Sequence, residues 1–210
     1  QISLVPKRTA VQMKSRWPTY KLSELVVIIS GGTPDTGVEA YWGGDIPWLT
    51  VNDFRSVSRF VNKTEKSITQ EGLYNSNTKM LQAGDLIISA RGTVGALAQL
   101  SRPMAFNQSC YGLRSKDPAK VSNDYLFFIL TKEIEQIKSQ ATGSKFDAIT
   151  TRTFDEIKIP VPPPDIQAKI VAECQAIDDS AASILSEGFA WEDVPKEIKR
   201  RKVEVFAKYL

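Results

Sequence analysis

Histidine is absent from the 210 residues of this chain, and cysteine occurs only twice. The lack of histidine excludes histidine acid–base pairs, histidine-activated nucleophiles and mixed zinc sites. Two cysteines cannot supply the ligands of an all-cysteine zinc site. Cys110 and Cys174 lie far apart in unlike settings, so we expect free thiols, with a disulfide as the open alternative. A hydrolytic enzyme of this composition would have to depend on paired carboxylates.

Long apolar runs are also lacking. The longest candidate, "LVVIIS" at residues 25–30, is far shorter than the roughly 18 apolar residues that indicate a membrane span. No secretory leader is visible. The first residue is Gln1, so we expect the chain to begin inside a longer reading frame or after processing. Apolar residues make up 42% of the chain and charged residues 24%, a composition typical of globular proteins without a membrane partner.

The net charge is small, +3, but it is unevenly distributed. Residues 1–21 contain basic residues and no acid, and the segment "KEIKRRK" at 196–202 has Glu197 as its single acid. Local basic patches on a nearly neutral body favour a polyanionic partner. Simple solvated faces are an equal alternative.

Capping and turn residues divide the first part of the chain into short helices and strands. We expect helices capped by Ser23, by Thr69 and by Ser122 or Asn123. A strand is expected to open at Pro47, where a missing N–H costs least. Further strands are expected near residues 28–30, on both sides of the glycine turn in "LIISARGTVGALAQL", in "CYGLRSK" and before the prolines at 162–164.

The last part of the chain has the pattern of a helical arm. Apolar residues recur at spacings of 4, 3, 4 and 3, as in a coiled-coil heptad. The stiff prolines at 162–164 would project this helix away from the globular part. The alternative is one amphipathic helix packed on its own domain. "GFAWEDVP" ends the tract and a second, basic helix follows. The seam residues are Ile170, Cys174, Ile177, Ala181 and Ile184.

These patterns predict an α+β fold. We expect a basic linker or arm over residues 1–19, a globular mixed-sheet domain over 20–162 and a helical arm for dimerisation or spacing over 163–210.

The motifs, in this order, resemble one protein family. "SGGTP…YWGGDIPWLTVND", "ITQEGLYNS", "LIISARGTVG", "FNQS" and "GSKFDAITTRTFDEIKIPVPPPDIQAKIVAECQAID" are similar to the specificity (S) subunit of type I restriction–modification systems. More narrowly, they resemble one target recognition domain with its helical spacer. The resemblance covers about residues 20–180, and its entry and exit motifs are specific when found together. Asp165 and Ile166 stand where the family often has two acidic or polar residues.

The resemblance implies a cytoplasmic, non-catalytic subunit that recognises double-stranded DNA. It implies three kinds of protein partner: an adenine-methyltransferase subunit, a restriction subunit, and a second recognition domain or a second copy docked through the helical arm. S-adenosylmethionine would bind the methyltransferase and not this chain. Typical members contain two recognition domains, so this chain is expected to be a fragment, a half-length subunit or the tail of a fused adenine methyltransferase.

Two loops hold candidates for reading bases. Thr33 and Asp35 follow the glycine pair of "SGGTP", which can let another backbone approach closely. A tight connecting turn is the alternative reading of that loop. "TVNDFRS" offers side chains suited to base edges after a strand, although a solvated loop has the same composition. Its candidates are Thr50, Asn52, Asp53 and Arg55.

Two further loops hold candidates for contacting phosphates. Arg91 and Thr93 lie in "SARGTVG", where exposed N–H groups suit phosphate oxygens, although the spacing of a nucleotide-binding P-loop is absent. Arg91 could instead form a structural salt bridge. Ser144 and Lys145 follow the long helix on another loop. By contrast, Asn107 and Gln108 are expected to satisfy backbone groups inside the sheet.

Two other functions stay open from the residues alone. A metal-dependent nuclease could use Asp45, Asp53 and Asp85, although these acids are scattered along the chain and no metal site is expected. A pure protein-interaction module would leave the loops without a role. The bases read and the half-site spacing stay open as well.

Overall fold

The computed structural model of the protein describes residues 16–140 and 148–210. The strands are β1 Thr19–Lys21, β2 Val26–Ser30, β3 Trp42–Leu49, β4 Phe60–Val61, β5 Lys66–Ile68, β6 Met80–Leu81, β7 Leu86–Ser89, β8 Leu97–Leu100, β9 Met104–Phe106, β10 Cys110–Ser115 and β11 Lys158–Pro160. The helices are α1 Leu22–Leu25, α2 Val51–Phe54, α3 Gln70–Tyr74, α4 Asn123–Gln140, α5 Thr151–Glu156, α6 Pro164–Asp178, α7 Ala181–Ser186 and α8 Val194–Tyr209.

The largest sheet has five strands in the order β2-β10-β7-β8-β4. Its pairs are antiparallel, except that β4 runs parallel to β8. In its centre Leu113 pairs with Ile28 on one side and with Leu86 on the other. A β1–β11 pair links the beginning of the described chain to the segment before the prolines.

A second sheet has the order β5-β3-β9-β6, with β3 parallel to β9. The register of β3 shifts between Trp42 and Ile46, because Ile68 of β5 pairs with both. Pro47 therefore lies inside β3, after this irregularity, and not at the start of the strand as the sequence suggested. With both parallel and antiparallel pairs and separate helices, the expected mixed-sheet α+β architecture is confirmed.

The five-stranded sheet is buried on both faces. Leu86 and Ile88 of β7 point to one side, where they join Phe128 and other residues of α4 in the main core. Ile87 points to the other side, where it meets Leu49 and Phe106 of the second sheet. This alternation explains why every residue of β7 is buried, since side chains of a strand point to opposite faces in turn.

Two of the predicted helix caps are confirmed and one is wrong. Thr69 accepts the N–H of the third residue of α3, and Ser122 does the same for α4. Ser23 lies inside α1 instead. The helix begins after Lys21, whose N–H donates to the Glu24 carboxylate at 2.7 Å. The carboxylate three residues along thus replaces the predicted hydroxyl at this helix start.

The helical arm is present, but it packs on its own domain. Its helices break at Asp179–Ser180, so the tract is α6 followed by α7 and, after a link, α8. Ile170, Cys174 and Ile184 are each 0% exposed. Val205 and Phe206 of α8 lie in the same core as α4 and α6. The prediction that α6 projects away from the globular part is therefore wrong.

The apolar seam predicted to face a partner is closed within the chain. Ile177 packs against the main core and Ala181 is half-buried, so the seam residues meet side chains of their own chain. The reading of Ile170, Cys174 and Ile184 as an interface with another chain is corrected accordingly. The apolar face of a heptad pattern must pack against other apolar side chains, and here side chains of α4 and α8 cover it.

Polar contacts also hold the arm on the body. Gln167 of α6 is buried and donates to the carbonyl oxygens of Lys120 and Pro162, each at 2.8 Å. Its Oε1 accepts the N–H of Ser122 at 3.1 Å. The buried Arg59 donates to Gln175 of α6 at 2.6 Å. Buried polar groups with all partners in place hold a single arrangement.

The basic segment at 196–202 is neutralised inside the chain. Lys199 pairs with Glu135 of α4 at 3.0 Å and Lys202 pairs with Asp178 of α6. Glu197 accepts from both Arg200 and Arg201. Lys199 and Lys202 thus fasten α8 to the body, an arrangement that accounts for the basic segment without a polyanion.

Among the described residues, no helix is both long and apolar enough to cross a membrane.

Candidate nucleic-acid interface

Four loops meet the short link between β9 and β10. The N–H of Gly32 donates to the carbonyl oxygen of Phe106 at 3.0 Å, and that oxygen also accepts the Thr78 hydroxyl at 2.8 Å. The N–H of Asn107 donates to Leu49 at 3.0 Å. On the other side, the N–H of Ala90 donates to the carbonyl of Ser109 at 2.8 Å. We call this surface the junction edge; it consists of residues 31–36, 50–56, 75–79, 90–95 and 106–109.

The topology explains why the loops converge. The last residues of β2 and β7 pair with the first residues of β10. The last residues of β3 pair with the last residues of β9, because these two strands are parallel. Since the link 107–109 joins β9 to β10, the ends of both sheets share one edge of the molecule. A rigid sheet edge of this kind can present side chains from separate loops in fixed positions.

The glycine pair of "SGGTP", Gly31 and Gly32, permits the closest approach in the edge. A Cβ on Gly31 would lie 2.2 Å from the carbonyl oxygen of Asn107, and one on Gly32 would lie 2.4 Å from the N of Thr78. Trp48 is buried and donates from its ring N–H to the carbonyl oxygen of Gly32 at 3.1 Å. Trp42 packs edge-on against Trp48 with ring centroids 5.1 Å apart. The glycines are therefore needed for contact between backbones, and the tryptophans form the packing beneath them.

The first pair of predicted base-reading residues lies on this edge. The half-buried Thr33 donates its hydroxyl to Oε1 of Gln108. Asp35 is exposed, and its carboxylate accepts the N–H of Gly37 at 2.8 Å. Asp35 thus shapes its own turn, whereas Thr33 acts on a neighbouring loop.

The four candidates in "TVNDFRS" fall into two pairs with different roles. Asp53 accepts the N–H of Thr50 at 2.7 Å and the hydroxyl of Thr50 at 2.9 Å, which forms a cap on α2. Its other oxygen accepts the N–H of Glu65 at 2.7 Å. Asn52 and Arg55 are exposed and bond to no side chain in the part of the chain described here. Thr50 and Asp53 build the loop, while Asn52 and Arg55 are free to contact a ligand.

The turn between β7 and β8 presents Arg91 and Thr93 to solvent. Gly92 and Gly95 have φ of 75° and 74°, a region that favours glycine. Arg91 has no carboxylate partner within residues 16–140 and 148–210, and the alternative of a structural salt bridge stays open. The other predicted phosphate contacts, Ser144 and Lys145, lie outside the described residues.

Asn77, Lys79 and Gln108 are exposed on the edge but were not among the predicted site residues. Asn77 and Lys79 belong to "YNSNTK", a polar run before β6 that could have indicated a loop. Gln108 does not satisfy a backbone group inside the sheet, since its side chain is exposed and bonds to Thr33. Asn107 does satisfy a backbone group, but this group is the N–H of Ser109 in the link, at 3.2 Å, and not one inside the sheet.

The polar side chains of the junction edge suit a nucleic acid, which offers both phosphate oxygens and base edges. Arg55, Lys79 and Arg91 are exposed cations without a salt bridge among the described residues. The same edge carries two exposed amides, Asn52 in α2 and Gln108 in the link between β9 and β10. Cations of this kind bind phosphate oxygens, and amides pair with base edges.

The carboxylates considered for a nuclease are used separately. Asp85 is 2% exposed and accepts from Arg114 at 2.8 Å, while Asp53 caps α2 and Asp45 is exposed. Within the described residues, His, Cys, Asp and Glu form no group of three or more suited to a metal ion. The three acids are therefore not a two-metal cluster.

The two cysteines are free and buried. Burial raises the pKa of both the Cys110 and the Cys174 thiols to about 12. A thiol with so high a pKa supplies almost no thiolate near neutral pH, which is the form needed for nucleophilic attack.

The chain is similar to a family of known proteins. The family described as "Type I restriction modification DNA specificity domain" matches residues 14–187. The type I restriction enzyme MjaIX specificity subunit of Methanocaldococcus jannaschii is 30% identical over 166 residues, which are 78% of this chain and 38% of that protein. The EcoR124I/EcoR124II specificity subunit of Escherichia coli is 28% identical over 193 residues, 89% of this chain and 45% of that protein.

A solved structure, the HsdS subunit from Thermoanaerobacter tengcongensis, has the same fold. It aligns with a TM-score of 0.64 over 97% of this chain and 47% of that chain, at 21% identity. The chain spans less than half the length of these relatives.

Proposed function

Since the chain belongs to the family of type I restriction modification DNA specificity domains, we propose that it reads part of a double-stranded DNA target for a restriction–modification complex. The junction edge is the surface that would contact the duplex.

One observation carries this proposal. Separate segments present exposed cations and exposed amides at one edge, and hydrogen bonds to residues 106–109 hold these segments in place. A backbone that is already held in place loses little conformational entropy on binding, so more of the contact energy appears as affinity and specificity. Cations on such an edge would position the phosphates, and amides between them would read the groove.

The chemistry of restriction and modification would belong to other subunits. We expect an adenine-methyltransferase subunit, with S-adenosylmethionine bound to it, and a restriction subunit. A second recognition domain, or a second copy of this chain, would read the other half of the target. These partners would dock on outer surfaces of the arm, because the apolar seam is closed internally. Fusion to an adenine methyltransferase is the alternative arrangement, and either one would act in the cytoplasm.

A selection experiment tests the proposal. The protein, with and without its methyltransferase partner, is incubated at low salt with a library of randomised duplexes, and the bound fraction is sequenced. We expect enrichment of one short motif. Failure to enrich any motif, even with the partner present, would contradict sequence recognition by this domain.

Salt dependence tests which surface binds the phosphates. Replacing Arg55, Lys79 and Arg91 by Ala should lower the slope of log K against log salt concentration by about 0.9 for each phosphate that is no longer neutralised. The matched control replaces three exposed lysines elsewhere on the chain: Lys116, Lys169 and Lys196. Equal slopes for the two triple variants would contradict the placement of DNA on the junction edge.

A further inference from the structure

Gln108 lies in the link that the other segments of the junction edge contact. It is exposed and lies in the link between β9 and β10, between the ends of the two sheets. Loops from both sheets bond to the residues beside it. A side chain in this position would face the middle of a duplex laid across the edge.

The backbone around Gln108 is fixed on both sides. Before it, Phe106 accepts from Gly32 at 3.0 Å and Asn107 donates to Leu49 at 3.0 Å. After it, Ser109 accepts from Ala90 at 2.8 Å. The side chain of Asn107 closes the turn by accepting the N–H of Ser109. The Cα of Gln108 therefore has little freedom to move, although its side chain is open to solvent.

The side chain itself is oriented by one hydrogen bond. The Thr33 hydroxyl donates to Oε1 of Gln108, and the Nε2 group bonds to no other described residue. Oε1 keeps one lone pair, and Nε2 keeps both N–H donors. The amide thus presents one acceptor and one donor side by side.

We infer that Gln108 reads an adenine in the major groove and that Thr33 is its positioning residue; this inference rests on the proposed function. Adenine presents a donor at N6 beside an acceptor at N7, which matches the free positions of the amide. Guanine presents acceptors at both O6 and N7, so Oε1 would face an acceptor there. The orientation set by Thr33 therefore favours adenine over guanine at one position of the target.

Substitution of Gln108 tests the inference in the same library selection, with the methyltransferase partner bound. Gln108→Ala should remove the adenine preference, of the order of tenfold or more, at one motif position and leave the other positions intact. Gln108→Glu, which only accepts hydrogen bonds, should shift that position towards cytosine. The salt slope of Gln108→Ala should equal that of the wild type, because the same phosphates stay neutralised.

Thr33 is tested through the same motif position. Thr33→Val removes the hydroxyl and should relax that position in part, whereas Thr33→Ser should retain the preference. A purely structural role would not distinguish one motif position from another. The matched control is Gln82→Ala, which should leave the motif unchanged. Gln82 is exposed and precedes the start of β7, whereas the junction edge lies at the end of β7.

The results separate this inference from the proposed function. If the wild type enriches a motif and Gln108→Ala, confirmed as folded by its melting temperature, enriches the identical motif, the inference fails and the proposed function stands. Relaxation at a position occupied by a base other than adenine also overturns the inference. If the wild type enriches no motif, the proposed function itself fails.

Discussion

A Cβ added to Gly31 would lie 2.2 Å from the carbonyl oxygen of Asn107. This close approach seats the loop after β2 against the link between β9 and β10, and so joins the five-stranded sheet to the four-stranded sheet at the junction edge. The obstructing atom belongs to the backbone, which cannot rotate aside as a side chain can.

Gly31→Ala is therefore expected to displace the loop that carries Thr33. Overpacking of this kind typically costs about 1–3 kcal/mol, and thermal or urea unfolding would measure the decrease in stability. The control is Gly37→Ala, whose Cβ would approach only the exposed Asp35 side chain, at 3.3 Å. Equal stability of the two variants would contradict the close contact.

Asn52 and Asp53 are adjacent, but they are expected to act differently when replaced. Asp53→Ala removes the cap of α2 and should cost about 0.5–2 kcal/mol in unfolding free energy, with DNA binding reduced as a consequence. Asn52→Ala should leave stability unchanged within about 0.5 kcal/mol and change DNA recognition alone. Unfolding curves and library selection on both variants check this pair. A stable Asp53→Ala protein would show that the carboxylate does not hold the loop.

Gln167 is expected to be the most costly single polar substitution in the arm. Gln167→Ala would leave the carbonyl oxygens of Lys120 and Pro162 and the N–H of Ser122 without their partner. Leaving a buried polar group unsatisfied costs about 1–3 kcal/mol. We therefore expect the free energy of unfolding to decrease by several kcal/mol. Chemical unfolding measures it, with the exposed Gln70→Ala as control. A small decrease equal to that of the control would mean that α6 is not fixed at this point.

Acid should weaken the ion pairs within α8. Hydrogen bonds from Arg200 and Arg201 hold the pKa of Glu197 at about 2, below its ordinary value of 4.5. Because the folded-state pKa is depressed, the stabilisation is complete above pH 4.5 and is lost as the pH falls towards 2. Melting temperatures of wild type and Glu197→Gln should therefore differ above pH 4.5 and converge below it.

The control for this titration is Glu192→Gln, an exposed glutamate in the link before α8. It should follow the wild type over the whole pH range. A difference between wild type and Glu197→Gln that persists unchanged down to pH 2 would contradict the depressed pKa.

The sequence predicted those elements whose signals are local. Thr69 and Ser122 cap their helices by contacts within one helical turn. Gly92 and Gly95 mark the turn that joins β7 to β8, two strands that are consecutive in sequence. The periodicity of α6 showed that one face is buried, but not by which helix. The cover from Val205 and Phe206 depends on the return of α8, a contact distant in sequence.

The site was predicted in part for the same reason. Polar composition predicted Asn52, Arg55 and Arg91 to be exposed, as the structure has them, although Asn52 lies in the short helix α2 and not on a loop. The capping of α2 by Asp53 follows a Thr-x-x-Asp spacing that could have been recognised. The position of Gln108 could not, because its exposure depends on the meeting of two sheets whose pairing has no local signature.

The surface that touches DNA can be identified directly by crosslinking. A photo-crosslinking amino acid is introduced at Thr93 on the junction edge or at Val203, which is 50% exposed on α8. The assembled complex is then irradiated on a duplex carrying its selected motif. If the junction edge binds the duplex, the protein will crosslink to DNA from position 93 and not from position 203. Crosslinks from position 203 with none from position 93 would contradict DNA binding by the junction edge.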